Sequence, residues 1–473
     1  MLIRRAGLLT AALIVSAPAM AQTADPIALV DARAADTARV ARQIWEWAEV
    51  GYQEDKSSAL LAAELQKAGF KVTKGVAGIP TAFVAEWGSG GPVIGVLGEF
   101  DALPGISQDA VAVRDPVEGK TAAHACGHNL FGAGSVTAAI ATKRWLEATK
   151  TPGRIRFYGT PAEEGGSGKV YMVREGLFDD VDFAIHWHPG GENSAAAETS
   201  LANRSAKFRF KGKAAHSAGA PEQGRSALDG VEAMNMMVNM MREHTTMDSR
   251  IHYVITEGGK APNVVPDTAE SFYYVRHSQT AEVDAMWKRV EAAARGAALG
   301  TGTEVTWEVI HGNNPLLVNE ALARMMDGKL RQLGGLTLTP EETAFAAEIG
   351  KTLANPMPVA SAAEIQPYGK TLGYGSTDVG DVSWATPTVG LSTATWAPGT
   401  PAHSWQSAAA SGTSLGFKGA QLAAKAMTLA AIQLFTDPAL RQAARAEFDA
   451  SRGPDYRYVS LLGDRKPPLD YRN

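Results

Sequence analysis

Apolar residues recur at helical spacing through 26–51, where Ile27, Leu29, Val30, Ala34, Val40, Ile44, Trp45 and Ala48 fall on one side. That periodicity predicts a helix. A second helix is expected over 56–67, closed by Gly69. The period then drops to two, with strands expected over 70–74 and over 81–87, which reads TAFVAEW. Residues 93–97, VIGVL, form a short unbroken apolar run of the kind a strand buried on both faces requires. A helix over 132–149 and strands over 154–158 and 182–185 follow. Strands alternating with helices predict an α/β sheet, in which the connecting loops gather beyond the carboxyl ends of the strands.

At Ser205 the pattern changes. SAKFRFKGK alternates as a strand with a polar face, a Met-rich helix spans 225–245, and strands are expected over 250–256 and 268–275. A helix over 281–299 and a strand over 303–310 complete the order strand, helix, strand, strand, helix, strand. That order is the ferredoxin-like arrangement of one antiparallel sheet with two helices on one face. Residues 202–312 are therefore read as a unit inserted into the α/β domain, whose two parts are 22–201 and 313–473. The methionines of NMMVNMM are expected as core filler. After the insertion, helices over 319–333, 340–352 and 414–434, a loop over 354–375 and a strand over 388–393 are expected.

Composition changes this picture little, except at the start of the chain. The 473 residues carry a net charge of −5 with 45% hydrophobic content, which gives no basic face for nucleic acid. Arg4 and Arg5 precede the apolar run AGLLTAALIVSA and then Ala19-Met20-Ala21. This is a signal-peptide pattern, cut after Ala21, and its run is too short to span a bilayer. The mature chain is expected in the periplasm or secreted, with no membrane attachment. It has a single cysteine, so no disulfide is available within it.

That cysteine, Cys126, stands between His124 and His128 in TAAHACGHN. Imidazole and thiolate together suit a borderline-soft divalent metal. Other candidates sit at neighbouring strand ends: Glu99 and Asp101, Glu163 and Glu164, His186 and His188, and His403. Adjacent carboxylates beyond a strand end point in different directions. One can bind metal while the other takes a proton from water and returns it to a leaving amine. Two further readings remain open at this point. Cys126 could be the nucleophile of a cysteine amidase with His124 or His128 as base, or the chain could bind peptide or metal without catalysis.

The motifs GEFDALPG, HACGHN, GTPAEEGG, WHPG, KAAHSA, PNVV, STDVGDVSWATP and GTPAHSWQ, in this order, resemble the dinuclear-metal aminoacylase/carboxypeptidase superfamily. Within it they are most similar to the aminobenzoyl-glutamate branch of amidohydrolases. The resemblance implies a zinc-peptidase-like metal domain, an inserted ferredoxin-like lid through which two copies dimerise, and hydrolysis of an amide bond to a free amino acid. It implies two divalent ions, with zinc, manganese and cobalt all suited. By resemblance Cys126 bridges the ions, His128, Glu164 and His403 are further ligands, and Glu163 is the general base. His188 is the remaining ligand, with His186 as the alternative. Asp101 orients the site and His124 supports it. In the lid, His216 resembles a residue that reaches into the partner subunit's site to polarise the carbonyl. Asn263 and Arg276 resemble the pair that holds the substrate carboxylate, a task that suits the guanidinium fork.

Overall fold

The computed structural model describes residues 25–472, so the expected signal segment 1–21 lies outside the described residues. A six-stranded sheet runs in the order Lys71–Lys74, Phe83–Ser89, Gly153–Gly159, Val93–Gly98, Phe183–Ile185, Thr388–Val389. The first two pairings are antiparallel and the other three parallel. Val93–Gly98 lies inside the sheet and is buried throughout. Its Ile94 and Val96 join the larger core, and its Val93 and Leu97 join a second cluster on the opposite face. The unbroken apolar run is thus explained by helices on both faces.

The helix His128–Thr149 is buried on nearly every side as far as Thr142 and packs against Ser414–Thr436. It begins four residues earlier than its apolar pattern predicts. Gly127, at φ +77, makes the turn, and a Cβ there would lie 2.7 Å from Pro189. Only glycine tolerates both conditions at once, and His128 becomes the first residue of the buried helix.

One expected helix, 26–51, is two: Pro26–Asp31 and Ala34–Trp47. Arg33 leaves helical geometry between them and buries its guanidinium 3.2 Å from Glu64. Helices at Gly168–Arg174, Val379–Ala385, Trp405–Ser411 and Pro438–Arg452 add to the expected set.

The four strands Arg250–Glu257, Thr268–His277, Ala202–Lys211 and Glu304–Asn313 form a separate, wholly antiparallel sheet in that order. Helices Ala227–Met241 and Thr280–Thr301 pack on it around Phe208, Tyr273, Val283, Trp287 and Val290. The expected core methionines of NMMVNMM are mostly not core: Met241 is buried, but Met236, Met237 and Met240 are exposed by 60%, 42% and 64%.

Candidate metal centre

The loops beyond the parallel strands converge on Cys126. Its backbone is fixed from the far loop: His403 donates its amide to the Ala125 carbonyl at 2.9 Å, and the Ser407 hydroxyl donates to the same carbonyl at 2.7 Å. Two sets of potential ligand atoms share this thiol, Cys126 with His128 and His188, and Cys126 with Glu164 and His403. Within each set all atoms lie within 4.8 Å of one another. Cys126 Sγ is 3.5 Å from His188 Nε2, and Glu164 Oε1 is 3.2 Å from His403 Nε2. A third set joins Glu99, His128 and Glu163.

His128 is wholly buried and oriented from behind. Its Nδ1 lies 2.9 Å from Asp101 Oδ1, while Asp101 Oδ2 accepts the Glu164 amide at 2.9 Å. One carboxylate therefore sets both the imidazole and the backbone of the glutamate turn. The other nitrogen, Nε2, is 3.1 Å from Glu99 Oε2 but makes no aligned hydrogen bond, and neither does the buried Glu164 Oε1. Buried polar atoms left in this way are costly, and a cation would satisfy both. Thiol, imidazole and carboxylate together are a donor set suited to zinc, manganese or cobalt. The residues fit the two ions that the resemblance implies.

His188 and His186 are separated by these contacts. His188 faces Cys126, whereas His186 enters none of the three sets and lines a cavity of about 350 Å³ with Phe131, Leu316, Thr377 and Leu391. The cavity also reaches Glu99 and His188. His124 Nε2 meets the Ile44 carbonyl at 3.1 Å, so it ties the loop to the end of a helix and joins no ligand set.

Charge within the site is uneven. Burial, with Glu99 and Glu164 nearby, pushes the Glu163 carboxyl well above its ordinary range. Burial acts the same way on Glu164, but the neighbouring His403 and His128 outweigh it and bring that carboxyl down. Burial and then the Glu164 charge push the Cys126 thiol up. Burial alone would lower the pKa of His128, but Cys126, Asp101 and Glu99 together raise it.

The turn that carries the two glutamates is held in uncommon backbone geometry. Ala162 (φ 57), Gly165 (φ 88) and Ser167 (φ 61) are all left-handed. Outside contacts hold it. Ala162 donates its amide to Glu54 Oε1 at 2.9 Å, Tyr52 donates to the Gly166 carbonyl at 2.6 Å, and Ser167 Oγ lies 2.5 Å from His311 Nδ1. Glu54 also accepts from Thr81 at 2.9 Å, and burial, with Asp101 nearby, raises it to about 8. His311 reads in sequence as an ordinary residue without company. It is buried and touches the turn.

Two participants, Lys169 and Asp378, were not identified from sequence. Lys169, fully buried, places its ammonium 2.7 Å from Glu99 and 2.6 Å from Asp378. Glu99 thereby has a cation of its own, which argues against a ligand role for it. Lys169 follows the glutamate turn and opens the apolar run VYMV, and that flank was the available signal.

The residues expected from the inserted unit stand apart. His216 and Asn263 are exposed, and Ser217 donates its amide to the Asn263 carbonyl at 3.1 Å. His216 Nδ1 accepts the amides of Ala218 and Gly219 at 3.2 and 3.0 Å. In the neutral ring this leaves the proton on Nε2, which is then a donor. Arg276 is partly buried over Tyr274, and among the described residues it has no carboxylate partner. Its Nη1 donates to Ser376 Oγ at 3.4 Å, and its Nε has no partner.

Residues 95–373 match the model of Peptidase family M20/M25/M40. The chain is 42% identical over 448 residues to one of the subunits of p-aminobenzoyl-glutamate hydrolase of Escherichia coli (strain K12), covering 88% of this chain and 93% of that protein. It is 30% identical over 435 residues to the Xaa-Arg dipeptidase of Mus musculus, covering 89% and 90%. In fold it is similar to a dinuclear metal binding peptidase of the M20 family from Bacillus subtilis. That likeness has a TM-score of 0.59 at 15% identity, over 86% of this chain and 99% of that one.

Proposed function

The chain belongs to Peptidase family M20/M25/M40 and is a hydrolase of amide bonds, and from that premise we propose that it frees an amino acid from an N-acyl, N-aroyl or aminoacyl amide. The observation that carries this reading is the single thiol shared by two ligand sets, with the raised carboxyl of Glu163 beside them. Cys126, His128 and His188 would hold one divalent ion, and Cys126, Glu164 and His403 the other. When bound, such ions supply Lewis acidity and make water more acidic at neutral pH.

Glu163 takes the proton of the attacking water and hands it to the leaving amine nitrogen, so one carboxyl serves as base and then as acid. Burial, with Glu99 and Glu164 nearby, raises its pKa, the direction that favours its accepting a proton from water. Asp101 keeps Nδ1 of His128 engaged and leaves Nε2 for the ion, the usual work of a carboxylate behind a ligating imidazole. Lys169 sets one positive charge between Glu99 and Asp378 beneath the site. The cavity beside His188 has the size of a small-ligand pocket and suits the acyl or aroyl group.

The inserted unit supplies the rest from a second copy of the chain. His216 Nε2–H hydrogen-bonds the scissile carbonyl oxygen, and Asn263 and Arg276 hold the substrate carboxylate. The exposed Met236, Met237 and Met240, with Val254 and Ile255, support a homodimer through this unit, because a cluster of exposed apolar side chains marks an interaction surface. Export to the periplasm or beyond rests on Arg4, Arg5, the apolar run and Ala19-Met20-Ala21.

The cysteine-nucleophile reading is disfavoured by the setting of Cys126. A reactive thiol needs electropositive surroundings, and this one is buried beside carboxylates that push its pKa up. The test is amino-acid release from N-acyl and N-aminobenzoyl amino acids and from dipeptides, before and after chelation. Re-added zinc, manganese or cobalt should restore activity, whereas activity that survives exhaustive chelation would overturn the proposal. Substrates recovered unchanged under every metal would favour a binding protein.

A further inference from the structure

One carbonyl of the glutamate turn, that of Glu164, is capped by a distant part of the chain. Tyr471 donates its hydroxyl to the Glu164 carbonyl at 3.0 Å, and Arg472 donates to the same oxygen through Nη2. The Tyr471 ring meets Tyr52 edge-on at 5.5 Å, and Tyr52 caps Gly166. The fit is close. A Cβ on Gly51 would come within 2.2 Å of the Tyr471 hydroxyl, and one on Gly166 within 3.2 Å. Two glycines therefore keep room for one tyrosine.

The same segment is anchored along its length. Leu461 and Leu462 are buried, and Leu461 lies against Gly312 at the end of the inserted unit's last strand. Arg465 donates to the Ile310 carbonyl at 3.2 Å and pairs with Glu308 at 2.8 Å, both on that strand. Arg174 donates to the carbonyls of Gly463 and Arg465 at 3.0 and 2.7 Å, and Tyr171 to that of Lys466 at 3.2 Å. One stretch thus touches the inserted unit, the helix after the glutamate turn and the turn itself.

We propose that 461–472 is a strap, and that Tyr471 and Arg472 are positioning residues holding the Glu163–Glu164 turn in its working conformation and tying it to the inserted unit. The proposal rests on the assignment of Glu163 as general base. Left-handed backbone at Ala162 and Ser167 persists only where the surroundings over-determine it, and the strap supplies part of that determination. The strap touches neither the carboxylate of Glu163 nor the substrate cavity, so its loss acts on turnover rather than on binding.

The test compares full-length wild type with Tyr471→Phe, which keeps the ring, and with Tyr471→Phe/Arg472→Met, which removes both donors. Amide exchange over 162–167 in the double variant should quicken about tenfold or more. At saturating metal, kcat should fall about 10- to 100-fold with KM within about twofold, the scale expected when a catalytic group is slightly misplaced. The single variant should show a smaller change in the same direction. Unchanged exchange and kcat would overturn the strap. So would a kcat loss that only tracks a fall in the folded fraction on melting. Full activity of Glu163→Ala would instead overturn the general-base assignment, because the exchange measurement reads the turn independently of catalysis.

Discussion

The two halves of the proposed site are built in different ways. In the α/β domain, Cys126 and His128 from one short stretch meet Glu164, His188 and His403 from three others within one chain. His128 is steadied by Asp101, Cys126 and His403 through the Ala125 carbonyl, and Glu164 by the capped turn, while His188 Nδ1 meets the Pro189 carbonyl. In the inserted unit, His216 and Asn263 are exposed and bonded to nearby backbone, and among the described residues Arg276 has no carboxylate partner. The parallel strands of the sheet gather their own loops, so the first half comes together within one chain. In the proposed function the second half serves a second copy of the chain.

Removing the centre of the first half should have the largest effect. Glu163→Ala is expected to lower kcat about 10³-fold, within the range for loss of a general acid–base, with metal content unchanged by elemental analysis. Next comes the origin of the second half. His216→Ala should lower kcat about 10²-fold, the scale of one lost carbonyl-stabilising donor. Mixing it with Glu163→Ala should restore activity, because a mixed dimer has one site with Glu163 and the partner's intact histidine. If His216 serves its own subunit, the mixture stays inactive.

Arg276→Met should act on binding instead. KM for substrates with a free carboxylate should rise about 10- to 100-fold, as loss of a charge-assisted hydrogen bond implies, while esterified analogues change little. A rise of equal size for both would remove the carboxylate assignment.

The smallest effect separates the halves by pH. Glu54 is raised from 4.5 to about 8 in the folded chain, so between those values the folded state holds a proton that the unfolded state has lost. Stability is full below the unfolded value and falls as pH rises towards about 8. Melting curves from pH 5 to 9 should show this fall, and Glu54→Gln should flatten it. The inserted unit's Arg209–Glu270–Glu308 network is partly exposed, and its removal should leave the slope as it is.

Sequence periodicity was a good guide to the sheet, because a strand's alternation is a local property. Val93–Gly98 and its terminal Glu99 and Asp101 could be read directly. The ligand loops were legible too, since Cys126, His128 and the glutamate pair sit in short motifs beside strand ends. Residues two apart share a face of a strand, so the residues alone left His186 and His188 open; the resemblance favours His188, and the fold places His188 against Cys126. Lys169 was missed because a lone lysine reads as solvated, and its burial depends on carboxylates 70 and 209 residues away. The capping of the turn by Tyr471 and Arg472 was hidden for the same reason: it is a contact across 307 and 308 residues, in a stretch with no periodicity.

One sulfur belongs to both ligand sets, and it is the only sulfhydryl in the chain. A site with separate ligands for each ion could lose one position and keep the other. Here oxidation of Cys126 to a sulfinic acid, which is not readily reversed, would withdraw the same atom from both. Damage of this kind would be all-or-none, and a partly oxidised preparation would behave as a mixture of intact and dead molecules rather than as a uniformly slower enzyme.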